Sequence, residues 1–299
     1  MDNALEVKNV YKRFDGFTLS NISFDIAEGE ILLVGGKNGA GKTKLLETIS
    51  CISPPSEGYI SYFDKTVYNG KIDKENLRST NQRFGVQIQD ERLLGSLTIK
   101  EIIETFSSLY EVEDYRSFYS DCSHIKKELD QRVGTLSDGK KQLVKFLLSI
   151  GHDPDIVFLD EPTSYLDGEV RNWVLKKIGD MRSTGTSFII TLNQFWDIGK
   201  IADRLMILEE GSISNIIPNF KKYYHSSVIK IDKRIDLEDL KSRSRYLSLK
   251  THKESTRIIT EYDIKYVLDK IDIDEDDILK ISRPKLEDFY PLRNGREKV

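Results

Sequence analysis

Long hydrophobic runs are missing from this sequence. No window approaches the ~20 apolar residues that a membrane-spanning helix needs, and the densest stretches are residues 156–159 and 188–192. Any link to a membrane is therefore expected to run through a partner. The first ten residues are charged and lack the apolar core of a signal peptide, so export of the chain is not expected. Cysteine is scarce as well: Cys51 and Cys122 are the only two. Their separation is not a metal-binding spacing, and they read as reduced thiols of a cytosolic protein. A surplus of basic charge is also absent. The net charge is −4, and a surface that tracks nucleic-acid phosphates needs clustered excess Lys and Arg, so nucleic acid is not an expected partner.

What is present suits a soluble globular chain. The 299 residues, 38% apolar and 31% charged, leave room for one large domain and a small one. Residues 4–35 read as β-strands separated by Asp15-Gly16 and Glu28-Gly29 turns. A glycine-rich turn follows, then helical spacing over 42–52 and strand alternation over 58–67. Residues 92–130 change to charged helical spacing, with Ile99, Ile102, Ile103 and Phe106 in phase; this stretch is expected to be an inserted helical subdomain. A helix over 137–150 precedes DIVFLDEP, an apolar run of the kind that forms a buried parallel strand. Helix 168–182, strand 186–192, helix 194–202 and strand 204–208 continue the alternation, which implies a parallel sheet flanked by helices. After Gly211 the pattern shifts, and residues 217–299 read as a small α+β domain.

Chemistry concentrates in two segments. Gly36-Lys37-Asn38-Gly39-Ala40-Gly41-Lys42-Thr43 fits the phosphate-loop pattern and stands between a strand and a helix, the context that mechanism needs. Glycines let backbone N–H groups turn inward around phosphates, and the helix start adds the favourable end of its dipole. Lys42 offers a cation to the outer phosphates, and Thr43 offers a hydroxyl to magnesium. Asp160 and Glu161 end the buried strand, and carboxylates at that end face the phosphate site in doubly wound sheets. Alone, Asp-Glu-Pro also suits a strand-ending turn. With the loop upstream, Asp160 suits magnesium and Glu161 suits the attacking water.

The loop GGKNGAGKT, the segment LSDGKKQ at 136–142 and IVFLDEPTSYLD at 156–167 together resemble the motif set of ATP-binding cassette (ABC) proteins over about residues 4–215. The resemblance implies a P-loop NTPase fold of the α/β class: a mostly parallel sheet, an N-terminal antiparallel β subdomain, a helical subdomain at about 90–150, and a C-terminal accessory domain after 216. It implies an ATPase that uses ATP and Mg2+. Ser137 and Gly139 would reach across a dimer to the γ-phosphate of a second, identical or different, ABC subunit, and Asp167 would link the two sites. Gln89 would contact magnesium and sense an integral membrane permease. Phe14 would stack on adenine, with Tyr11 and Phe17 as rivals, while Ser137 also suits a helix cap.

Departures from that pattern are Asp138 and Lys140 in the signature, Lys37 where Pro is common, Lys44 where Thr is common, and Asn193 where the switch histidine usually stands. Asn keeps one donor but has no titratable ring. It either slows this site or does the same positioning work. The C-terminal ILKISRPKLEDFYPLRNG resembles the closing segment of exporter ATPases for drugs, antibiotics and small peptides, with Leu286, Phe289 and Tyr290 as apolar anchors. The expectation is the ATPase subunit of such an exporter, held at the cytoplasmic face of the membrane by separate membrane subunits. A soluble cassette ATPase and a slow regulatory partner are the alternatives.

Overall fold

The computed structural model describes residues 3–88, 93–192, 198–224, 226–232, 248–252, 255–260, 267 and 278–289. The chain divides into two compact units, residues 1–193 with 205–216, and residues 194–204 with 217–299.

The first unit opens with a long antiparallel pair, β1 (Asn3–Phe14) and β2 (Phe17–Ala27), which joins β4 (Glu57–Tyr62) and β5 (Lys65–Asn69) in a four-stranded sheet of order β2-β1-β4-β5. Sequence alternation suggests one strand over 58–67. The structure breaks it into a hairpin, because Phe63 and Asp64 both take left-handed φ, 48° and 62°, the conformation that a two-residue hairpin turn demands.

A second, six-stranded sheet has the order β10-β9-β3-β8-β7-β6. Its strands are β3 (Ile31–Gly35), β6 (Phe84–Gln87), β7 (Ile156–Asp160), β8 (Ser187–Thr191), β9 (Arg204–Glu209) and β10 (Ser212–Ile217). The pairs β3–β8, β7–β8 and β6–β7 are parallel, with Val34 opposite Thr191, Asp160 opposite Thr191 and Gln87 opposite Leu159. Their carboxyl ends therefore lie side by side at one edge, where such sheets bind ligands. Every residue of β3, β7 and β8 is buried, which is why their sequences run apolar without alternation.

Between the two sheets lies one apolar cluster that includes Leu5, Ile22, Ile26, Leu46, Ile60 and Met206. Within it Tyr62, Phe84 and Phe158 stand with ring centroids 4.5 to 6.3 Å apart. Each such buried side chain contributes roughly 1.5–3 kcal/mol.

The helices are α1 (Lys42–Ile49), α2 (Lys74–Asn81), α3 (Ile99–Leu109), α4 (Asp138–Ile150) and α5 (Gly168–Ser183). Thr98 and Glu101 close a capping box at the head of α3. The helical spacing predicted to run to residue 130 stops at Tyr110. Glu111 turns left-handed (φ 57°) and the Ser107 hydroxyl bonds the Val112 carbonyl at 2.6 Å. Short turns then carry the chain to α4. No helix among the described residues is long and apolar enough to cross a membrane.

In the second unit, β11 (Ser227–Ile231), β12 (Ser248–His252), β13 (Ser255–Thr260) and β14 (Ile278–Ser282) form an antiparallel sheet of order β12-β13-β11-β14. The short helix α6 (Lys221–Tyr224) follows Phe220, and the rings of Phe220 and Tyr223 meet Phe289 at 5.4 and 5.1 Å. Arg257 reaches the buried Asp288 at 3.2 Å. Of the predicted anchors, Phe289 is buried and Leu286 half-buried, whereas Tyr290 lies outside the described residues. The helix predicted over 194–202 falls partly outside them too, and residues 198–201 form a turn.

Candidate functional site

Residues 36–41 leave the carboxyl end of β3 and enter α1 without a side-chain cap. The N–H groups at the head of α1 thus meet no side chain from the capping position and stay disposed toward an anion. Gly41 makes the turn possible. Its φ is 100°, and a Cβ there would lie 2.3 Å from the Phe17 ring, so only glycine fits. The loop is tied to the β9–β10 turn by the Gly211 N–H, which donates to the Ala40 carbonyl at 3.1 Å. Lys37, Asn38 and Gly39 form the exposed rim, and Gly36 and Ala40 are buried.

Lys42 is 7% exposed, and its ammonium folds back to donate to the carbonyls of Gly36 (2.9 Å) and Lys37 (3.4 Å). Burial pushes its pKa below the ordinary lysine value, and the charges of Glu161 and Asp160 pull it partly back. Thr43, the next residue, donates its hydroxyl to Oδ2 of Asp160 at 2.6 Å. Asp160 is 1% exposed, and its other oxygen accepts a short hydrogen bond from Thr191.

A carboxylate beside a hydroxyl is a hard-oxygen pair of the kind magnesium takes when phosphates and water complete its shell. No cluster of three or more His, Cys, Asp or Glu suited to a metal occurs among the described residues.

Glu161 is fixed by its main chain. It takes a left-handed φ of 51°. Its N–H donates to the carbonyl and hydroxyl oxygens of Thr191 (3.2 and 3.1 Å), and its carbonyl accepts from Gln142 of α4 (2.8 Å). Its carboxylate accepts from the Ser164 hydroxyl at 3.1 Å. A half-buried carboxylate held this way beside a lysine and a metal-type pair can act as a general base on water.

Ser137 caps α4, accepting from the Lys140 N–H at 3.4 Å, and both Ser137 and Asp138 are exposed. Asp138 stands 3.9 Å from Lys141, and Lys140 pairs with Glu128 at 2.5 Å. Asp138 and Lys140 therefore both have partners within the chain. An acid at a helix head is also favourable toward the dipole. Gly139 lies against the turn that precedes Asp167: a Cβ there would come within 2.6 Å of the Tyr165 carbonyl oxygen. Asp167 caps α5 through the N–H groups of Glu169 and Val170.

Among the three aromatic candidates, Phe17 fills the space beside Gly41 and Tyr11 lies on β1 opposite Glu57. Phe14 is half-buried, with the ammonium of Lys44 5.1 Å from its ring centroid. Gln89 and Asn193 lie outside the described residues. Thr191, Gln142 and Ser164 were not among the residues singled out from the sequence. Thr191 had one available signal, since it ends the strand next to the one that carries Asp160.

A family model described as ABC transporter matches residues 19–164. Nod factor export ATP-binding protein I of Burkholderia orbicola is 29% identical over 213 residues, 69% of this chain and 68% of that protein. An ABC transporter ATP-binding protein of Caldanaerobacter subterraneus is 31% identical over 218 residues, 70% of this chain and 89% of that one. L-cystine import ATP-binding protein TcyN of Bacillus subtilis is 25% identical over 216 residues, 70% and 83% of the two chains. In three dimensions, a dimeric bacterial ABC transporter cassette superposes with a TM-score of 0.65 at 21% identity, covering 72% of this chain and 98% of that one.

Proposed function

The chain belongs to the ABC transporter family, as one of its ATP-binding subunits, and on that footing we propose that it hydrolyses magnesium-ATP at the β3–α1 loop while paired with a second cassette. The observation that carries this reading is the Thr43–Asp160 contact at 2.6 Å, which joins the phosphate loop to the acid-bearing strand next to a buried lysine.

The loop from Gly36 to Thr43 receives the phosphates on its N–H groups, and Lys42 places its cation against the outer ones. Thr43 and Asp160 would hold a magnesium ion, which would draw charge off the phosphate oxygens. Glu161 accepts a proton from the attacking water as that water's oxygen bonds to the terminal phosphorus and the bond to the ADP oxygen breaks. Such general-base help is worth about 10²- to 10⁴-fold. Phe14 stacks on the base, for about 1 kcal/mol. Gln89 and Asn193 complete the phosphate and metal contacts by analogy with the family pattern.

Ser137 and Gly139, at the exposed head of α4, reach the nucleotide of the second cassette, and Asp167 links the two sites. An integral membrane permease docks on the same unit and holds it at the cytoplasmic face. A groove of about 430 Å³ lined by Lys74, Leu77, Arg78 and Tyr110 suits such a partner, and Leu109 on its rim is 67% exposed. The cargo is an exported drug, antibiotic or small peptide. Relatives of both directions match, an export subunit at 29% identity and an import subunit at 25%, and what supports export is the resemblance of the C-terminal segment to exporter ATPases.

The test is steady-state ATPase of the chain purified with its membrane partner. Glu161→Gln is expected to lower the rate at least a hundredfold, and Asn193→His to raise it. A rate untouched by both substitutions would remove the claim that this site turns over. Vesicle uptake against efflux decides direction, and copurification of ribosomes or nucleic acid in place of a detergent-dependent partner would refute transport.

A further inference from the structure

The strands β11 to β14 of the second unit contain no Asp or Glu, although acidic residues outnumber basic ones 49 to 45 in the chain. Their Lys and Arg residues fall on one rung. The antiparallel register sets Lys230 of β11 opposite Arg257 of β13 on one side and opposite Lys280 of β14 on the other, and it sets Arg257 opposite Lys250 of β12. Residues directly opposite in such a sheet share a face, with Cβ atoms ~5 Å apart. A line of one sign therefore crosses all four strands, roughly 14 Å long at ~4.8 Å per strand gap.

This rung lies on the wet side of the sheet. Ile229, Ile231 and Ile258, which alternate with Lys230 and Arg257, are buried, whereas Arg257 and Lys280 are exposed and Lys230 is half-buried. Like charges directly opposite one another destabilise a sheet, and soluble surfaces ordinarily intersperse the two signs. Asp288 answers Arg257 at 3.2 Å. Neither Lys230 nor Lys280 has an ion-pair partner among the described residues. An anionic partner laid across the rung relieves that repulsion.

We propose that this face of the second unit docks on an anionic phospholipid surface. The choice of partner follows from which cations are present. Arg, with its planar fork, is the residue suited to gripping one carboxylate or phosphate, and the fork of Arg257 is engaged by Asp288. The other three positions are Lys, a point charge on a flexible stem, which can carry its ammonium out to headgroups and reads a diffuse field of negative charge. The four strands hold no Phe, Tyr or Trp, so they offer no stacking platform of the kind single-stranded nucleic acid uses. An added peptide strand would pair at an edge of the sheet, whereas this rung runs across its face. The inference agrees with the membrane placement proposed above and draws on nothing in the nucleotide site.

The test is flotation of the full chain with vesicles of phosphatidylcholine alone and of phosphatidylcholine mixed with phosphatidylglycerol, without nucleotide or permease. Wild type is expected to float with the anionic vesicles only, and to be released as added salt screens the contact. Each lysine near such a surface is worth about fivefold in partitioning, so Lys280→Gln should weaken binding about fivefold and Lys230→Gln with Lys280→Gln about thirtyfold. Lys65→Gln with Lys176→Gln, which removes the same charge from exposed positions of the first unit, should stay within twofold, as should Lys230→Arg with Lys280→Arg. The thermal midpoint of the double Gln variant is expected to match or exceed that of wild type, because opposed like charges have been removed. Equal binding to both vesicle types, no binding to either, or equal losses in the two double Gln variants would overturn the proposal. Tighter retention of a single-stranded oligonucleotide or of polyglutamate at the same charge concentration would overturn it too, by assigning the rung to another class of partner. None of these outcomes bears on ATP hydrolysis, which is read separately with the membrane partner.

Discussion

Replacing Thr191 by valine isolates a single oxygen on which both acids of the site depend. The hydroxyl donates to Oδ1 of Asp160 and accepts the Glu161 N–H at 3.1 Å, while the Thr191 carbonyl shares that N–H at 3.2 Å. Valine has nearly the same shape, so little cavity or overpacking enters. The loss is one hydrogen bond to a charged group, about 1.5–3 kcal/mol, and part of a shared one. Thr191 is 0% exposed and Asp160 1%, so water does not readily take the hydroxyl's place. A net loss of about 2 kcal/mol corresponds to roughly 4–8 °C in Tm for a cooperative unit of this size. Function should respond with a specific signature. Asp160 released on one side holds magnesium less well, so the magnesium concentration needed for ATP to stabilise the protein rises about tenfold, while ATP binding in chelator stays within twofold. Thr191→Ser keeps the hydroxyl and is expected to restore both. Thermal unfolding across a magnesium titration reads both effects. A loss below about 0.5 kcal/mol together with an unchanged magnesium requirement would show that Thr191 only fills space, and the reasoning would fail.

Lys42→Met removes a buried ammonium whose charge the fold disfavours, so the nucleotide-free Tm is expected to stay within about 2 °C of wild type. The rise that ATP produces, worth about 2.7 kcal/mol at a hundredfold excess over Kd, is expected to vanish; a retained rise refutes the role of Lys42. Gly41→Ala meets both a positive φ and the Phe17 ring at 2.3 Å, and about 3 kcal/mol should be lost. Phe17→Leu relieves the clash but not the backbone strain, so the double variant should recover about 1 kcal/mol against additivity in denaturant titrations, and strict additivity would refute the contact. His152 stacks on Tyr110 at 3.7 Å and bonds the Phe84 carbonyl at 2.8 Å, and burial holds its pKa below 6.5. Below 6.5 the unfolded chain takes up a proton that the folded chain resists, so stability falls as pH drops from 6.5 toward the folded value. Tm measured from pH 7.5 to 5.5 should fall more steeply for wild type than for His152→Phe, which keeps the stack. Equal slopes would refute this.

The parts of the site that could be read from the sequence are those made by contiguous residues. A phosphate loop is one turn of chain between a strand and a helix, so its glycines, Lys42 and Thr43 are legible as a string. Asp160 and Glu161 are legible because a buried parallel strand announces itself by an unbroken apolar run and its end is where polar residues resume. Thr191, Gln142 and Ser164 carry no such mark. Thr191 matters only because the β7–β8 register sets it opposite Asp160, and Gln142 only because α4 passes the Glu161 carbonyl. Neither relation has a period or spacing along the chain.

Sequence pattern and structure differ where local rules compete. Alternation over 58–67 is genuine on both sides of the β4–β5 turn, but Phe63 is a poor advertisement for a left-handed residue, so the hairpin hid inside the pattern. Helical spacing after Tyr110 likewise continues in the letters while the backbone leaves the helix at Glu111.

The left-handed conformation of Glu161 draws these threads together. A non-glycine residue at φ 51° costs of order 1–3 kcal/mol unless its surroundings hold it there. Its main chain is held at both polar groups, by Thr191 on the N–H side and by Gln142 on the carbonyl side. Gln142 rides on α4, the helix whose exposed head carries Ser137 and Gly139. On the function proposed above, a movement of α4 when a second cassette binds that head would pull on the main chain of Glu161. Pairing and hydrolysis would then be coupled through one amide, and Gln142→Ala should lower the rate of the paired complex while leaving nucleotide binding by the single chain unchanged.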